Sequence, residues 1–165
     1  MQEQSNKYIG QNAHISSMEM ADEYLHLAMM DLSAAEVLNS QGLYNQAVYM
    51  YIQSMEKKIK SYICQKINVA LPFYADKLRE IGHSLDKSII FLIEILSSND
   101  SNLKSQLEKQ LLSGVFENIR FLGLYNNCRY PKYNSKFSNY SILRISKEDC
   151  DRMKKYSHEA RPISR

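Results

Sequence analysis

The chain has no tryptophan, three prolines and five glycines in 165 residues. So little punctuation excludes a protein of many short strands and turns, and it excludes collagen-like or low-complexity composition. The glycines, Gly10, Gly42, Gly82, Gly114 and Gly123, never cluster, which removes both the phosphate-cradling glycine-rich loop and the dinucleotide fingerprint. Cysteine is scarce. Cys64, Cys128 and Cys150 are odd in number, far apart and without a Cys-x-x-Cys pair, so zinc and redox motifs are missing and reduced thiols are expected. The histidines, His14, His26, His83 and His158, form no His-x-x-x-His pair, and the residues imply neither a metal nor a cofactor. No apolar run approaches the ~20 residues of a membrane span, Ile89 to Ile93 being an example of how short they are. Residues 1–17 are polar and lack the apolar stretch of a secretory leader, so the expected location is the cytoplasm, with no membrane partner.

What is present is helical periodicity. Met18, Ala21, Leu25, Ala28, Leu32 and Ala35 recur at three and four, which predicts a helix over 17–40 with a capping box at Ser16 and Glu19 and a C-terminal stop at Gly42. Val48, Ile52, Met55, Ile59 and Ile63 predict a second helix over 43–68, where Glu56 precedes Lys60 by four. The short turn between them makes an antiparallel pair. Beyond Pro72, Leu78, Ile81, Leu85, Ile89, Leu92 and Leu96 predict a third helix, starting between Asp76 and Ser84 and ending at Ser97–Ser101. Leu103, Leu107, Leu111, Val115, Ile119 and Leu122 predict a fourth, capped by Asp100 or Ser101 and stopping near Asn127, before Pro131. Ser146 with Asp149 opens a short helix to about Ser157. No strand pattern stands out. The reading is all-α, an up-and-down bundle of four long helices plus a short C-terminal one. It comprises a polar arm over 1–16, one domain over 17–157 and a tail over 158–165.

The net charge of +3 hides a division. Residues 1–117 carry 10 basic and 14 acidic side chains, and residues 148–165 carry five and four. Between them, Arg120, Arg129, Lys132, Lys136, Arg144 and Lys147 occur with no acid. Tyr130, Tyr133, Phe137 and Tyr140 alternate with these cations, the combination that single-stranded nucleic acid or a nucleotide uses: cations for phosphate, rings for bases. The same spacing suits a loop whose rings pin it onto the bundle. Residues 1–56 hold seven acids against Lys7, either a solvated face or a docking surface for the basic segment of a second copy. Arg129, between a helix end and a proline, is held either as a ligand clamp or as a cap on the helix C-terminus. His83, beside Gly82 at a helix entrance, either meets a ligand or satisfies local backbone.

Four stretches resemble the HEPN domain, a family of small helical bundles found in prokaryotic toxin–antitoxin and defence systems and in nucleotidyltransferase partners. They are Ala34-Ala35-Glu36-Val37-Leu38 followed by Gly42-Leu43-Tyr44-Asn45-Gln46-Ala47, Ser54-Met55-Glu56-Lys57-Lys58-Ile59-Lys60, Gly82-His83-Ser84-Leu85, and Arg129-Tyr130-Pro131. The likeness covers about residues 18–157, and the third stretch has serine where the family has aspartate. The ribonuclease branch carries Arg, four to six residues, then His, and works as a dimer. Here Arg129 is followed by Tyr-Pro-Lys-Tyr-Asn-Ser-Lys, and the next histidine is His158, 29 residues on. The resemblance therefore implies a non-catalytic, homodimeric binding module with no catalytic set. It would hold a nucleotide, an RNA segment or a partner nucleotidyltransferase near Arg129, Tyr130, Lys132, Tyr133, His83 and Lys60. The competing readings are a ribonuclease with a rearranged site using Arg129 and His158, and a structural adaptor that docks on another protein.

Overall fold

Alanine lets helices approach closely, and the first helix pair is built on that. In a computed structural model describing residues 15–160, α1 (Ser17–Ser40) buries Ala21, Ala28, Leu32 and Ala35 against α2 (Tyr44–Lys66). Ser54 and Ser61 on α2 donate to the Ala28 and Ala21 carbonyls at 2.8 and 2.7 Å, contacts that larger side chains would hold apart. The capping box forms as the sequence predicts, Ser16 Oγ accepting from the Glu19 amide at 3.3 Å and Glu19 accepting from the Ser16 amide at 2.7 Å. Gly42, at φ +74°, turns the chain back with a left-handed backbone that a side chain would strain. Of the sequence stripe on α1, Met18 is exposed instead of buried.

α2 is the central element. Ala47, Val48, Tyr51, Ile52 and Met55 form the main core with Leu85, Ile89, Ile93, Phe116, Phe121, Cys150, Met153 and Tyr156 from elements on its other sides. A smaller cluster of Ile63, Ile81, Phe91 and Leu92 closes the far end. The all-α bundle expected from the sequence is the fold found. The polar arm lies outside the described residues except for Ile15 and Ser16, as does the tail beyond Ala160.

Three details depart from the sequence expectations. The third helix is two, α3 (Pro72–Ile81) and α4 (Leu85–Ser97), because Gly82 at φ +55° ends one and the Ser84 hydroxyl caps the other. Pro72 opens α3, where its missing amide costs nothing. The fourth helix is likewise divided: α5 (Ser101–Glu108) runs into a π-helical segment, Lys109–Val115, and after left-handed Glu117 and Asn118 the chain restarts as α6 (Phe121–Asn127). The leucine spacing crosses these breaks because the pieces on either side of each one share a cluster, Ile81 and Leu92 the smaller one and Leu107, Leu111, Val115 and Phe121 the main one. Finally, residues 132–141 form a small antiparallel hairpin, β1 (Lys132–Asn134) and β2 (Asn139–Ser141), ahead of α7 (Lys147–Glu159). Its three-residue strands are too short to leave an alternating pattern. Among the described residues no helix is long and apolar enough to cross a membrane.

Candidate functional site

α6 is held from outside its own sequence. Its N-terminus receives the Asp86 carboxylate of α4, which accepts from the Phe121 amide at 3.2 Å and the Leu122 amide at 2.7 Å. That tether fixes where its other end delivers Arg129. The Arg129 and Tyr130 amides both close on the Asn126 carbonyl at 3.1 Å, and Pro131 prevents further helix.

The Arg129 guanidinium does not fold back to cap α6. Its carbon stands 5.0, 5.1 and 4.8 Å from the ring centroids of Tyr49, Tyr125 and Tyr130. Nη2 donates to the Tyr130 hydroxyl at 2.6 Å. The Tyr49 and Tyr125 rings lie 5.0 Å apart with their hydroxyls at 3.5 Å. Burial first, then the Tyr49 hydroxyl, push the Tyr125 phenol up to about 12, against the pull of Arg129, so this ring stays neutral. No carboxylate comes within ion-pair range of Arg129 among the described residues. A cation is thus positioned by three π-faces with its charge uncompensated. It borders a cavity of about 310 Å³ with Asn45, Gln46, Tyr49, Cys128 and Tyr130. Asn45 lashes the chain after the hairpin to α2: its Nδ2 donates to the Leu143 carbonyl at 2.7 Å and its Oδ1 accepts from the Ile145 amide at 3.0 Å.

Lys60 and His83 form a second group. Glu56, 2% exposed, accepts from Lys60 at 2.6 Å through Oε1 and from Gln53 at 3.2 Å through Oε2. Lys60 also donates to the Gly82 carbonyl at 2.5 Å, so its buried ammonium holds the α3–α4 turn. His83 is carried by that turn, with its side chain 78% exposed and Nδ1 3.7 Å from Glu56 Oε1. It faces a carboxylate, where the sequence left it between ligand and local backbone.

The two groups share a stripe. Asn45, Tyr49, Gln53, Glu56 and Lys60 follow one another at four, four, three and four along α2, the last four each one residue C-terminal to a member of the aliphatic series. At 1.5 Å per residue, Tyr49 and Glu56 are about 10 Å apart along the axis. Arg129 and Tyr130 are therefore brought together, and Lys60 and His83 are brought together farther down the same helix. Lys132 and Tyr133 stand apart from both, exposed on the hairpin. The expectation that the ring-bearing segment is pinned to the bundle is overturned: Tyr130, Tyr133, Phe137 and Tyr140 are all more than half exposed. Tyr49, Tyr125 and Asn45 are the site residues that sequence reasoning missed. Only the stripe offset by one from the aliphatic series could have marked Tyr49 and Asn45. His158, the histidine of the rearranged-ribonuclease reading, meets Glu36 of α1 at 3.2 Å and lines no part of the Arg129 cavity.

A family model described as HEPN domain matches residues 21–161. No curated protein and no solved structure matches the chain.

Proposed function

This chain belongs to the HEPN domain family, and from that premise we propose that it is a non-catalytic binding module whose Arg129 clamps the phosphate of a nucleotide or RNA segment. The observation that carries this reading is the guanidinium itself, held by three tyrosine rings and lacking a carboxylate partner among the described residues. A planar, always-charged fork matches a phosphate in two parallel hydrogen bonds, and pre-positioning lowers the entropy lost on binding. Tyr130 offers the hydroxyl and ring that would meet the rest of the nucleotide.

Support for the absence of catalysis is geometric. A general acid or base must come within about 3 Å of the reacting oxygen. His158 is occupied with Glu36, and His83 stands beside Glu56, seven residues along α2 from the ring under Arg129. In this reading Arg129 and Tyr130 take a mononucleotide by themselves, Lys132 and Tyr133 on the hairpin meet only a longer RNA segment, and His83 and Lys60 lie farther down the same α2 face. In line with the family resemblance, the module works as a homodimer, with a nucleotidyltransferase as the partner protein.

Titration with AMP tests the clamp. Arg129→Ala is expected to weaken binding at least about tenfold and to flatten the dependence of affinity on salt. Arg129→Lys recovers only part, since a point charge cannot bind two oxygens in parallel. Unchanged affinity and slope in Arg129→Ala would overturn the assignment, and cleavage of RNA by the purified protein would overturn the non-catalytic reading. Sedimentation across a salt series tests the dimer, which a monomer at low salt and high concentration would exclude.

A further inference from the structure

The fold does not account for the hairpin's composition. β1 and β2 pair with Lys132 opposite Ser141, Tyr133 opposite Tyr140 and Asn134 opposite Asn139, and every residue from 135 to 142 is exposed. A two-stranded hairpin with no packed face gains little stability from water. Yet this one displays Tyr133, Phe137, Tyr140 and Ile142, with Phe137 65% and Tyr140 70% exposed. Clustered exposed rings of this kind mark an interaction surface.

The arrangement of rings and charges narrows the partner. Strand alternation puts Tyr133 and Tyr140 on one face, where they meet edge to face at 5.2 Å and 61°, leaving ring surface open. Phe137 sits near the tip with the Lys136 ammonium 5.5 Å from its centroid. Lys132 and Arg144 flank the arm, and no acid occurs between residues 118 and 147. None of Lys132, Lys136 and Arg144 has a carboxylate partner among the described residues. An acidic protein would answer these cations but would make no particular use of open ring faces. A flexible chain of alternating phosphates and flat bases uses both.

We propose that the hairpin is a binding arm for single-stranded polynucleotide, its bases stacking on Tyr133, Phe137 and Tyr140 and its phosphates meeting Lys132, Lys136 and Arg144. Only Tyr130 and Pro131 separate Arg129 from β1, so a strand anchored at the clamp runs onto the arm. That register rests on the phosphate-clamp reading; the arm itself does not.

Fluorescence anisotropy with labelled rU12 and dT12, beside titration with AMP, separates the two. The Tyr133→Ala, Tyr140→Ala double variant is expected to bind both 12-mers at least about tenfold more weakly, with AMP affinity and salt slope unchanged. Tyr133→Phe with Tyr140→Phe keeps the rings and is expected to retain the affinity, which controls for loss of the hairpin fold. Lys132→Ala with Lys136→Ala lowers the salt slope by about 1.4. Equal binding of rU12 and dT12 is expected from rings and phosphates alone, and tighter rU12 adds a 2′-hydroxyl contact to the arm. Twelve-mer affinity unaffected by loss of both rings overturns the arm. So does a wild-type protein that binds AMP but neither 12-mer, or one whose ring variant loses only self-association. Binding of the 12-mers without AMP leaves the arm standing and removes the clamp.

Discussion

Single residues in this molecule differ chiefly in whether their charge is answered. Glu56 and Lys60 neutralise each other in the interior, while Arg129 is surrounded by rings. Removing one half of the buried pair leaves the other unpaired, so Lys60→Ala is expected to cost about 3–5 kcal/mol in chemical denaturation. Replacing both with methionine should recover most of that loss, because no buried charge remains; a double variant as unstable as the single one would contradict it. Arg129 stood out in the sequence because it lies where a helix must stop, one residue before the Tyr130-Pro131 pair that cannot continue it. Tyr49, Tyr125 and Asn45 did not, since what makes them a cage and a lash is their meeting across α2, α6 and the segment before α7.

At the scale of elements, local signals were legible and continuity was not. The Ser16–Glu19 capping box, the Gly42 turn and the aliphatic stripes delimit α1 and α2 nearly to the residue. The stripe after Pro72 and the one after Asp100 each run across a break, because residues on either side of a turn can serve one core. Asp86 shows how an element without a cap of its own is fixed: α6 takes its N-terminal partner from α4. Asp86→Ala should cost about 1 kcal/mol, in the range of a lost cap. It should also speed amide exchange in α6 and weaken AMP binding, though it touches no ligand. Normal exchange in α6 would show that the tether is dispensable.

Across the whole molecule, the acid-free stretch of chain supplies both the ring-caged Arg129 and the exposed hairpin. The cysteines report on the intactness of the rest. Burial pushes Cys64, Cys128 and Cys150 each up to about 11. At pH 8 only about one thiol in a thousand is ionised, so alkylation followed by mass spectrometry should be slow for all three in the native protein and fast in urea. Half-buried Cys128, which borders the Arg129 cavity, should be the first to react and the one that AMP protects. Rapid native labelling of Cys64 or Cys150 would show that the bundle opens.

Asn45 has a consequence for synthesis of the chain. The α1–α2 hairpin needs only residues close in sequence, so it can form early, as local contacts generally do. The Arg129 cage draws Tyr49 from α2 and Tyr125 from α6, and Asn45 secures the neighbouring chain at Leu143 and Ile145, 98 and 100 residues later. A nascent chain that has emerged only as far as the hairpin already contains Arg129, all its rings and the Asp86 tether, but lacks the strapped segment and α7, whose Cys150, Met153 and Tyr156 complete the core on which Phe121 and Tyr125 pack. The caged guanidinium is therefore set firmly only near the end of translation, and a polypeptide released prematurely would be helical with its core open on one side.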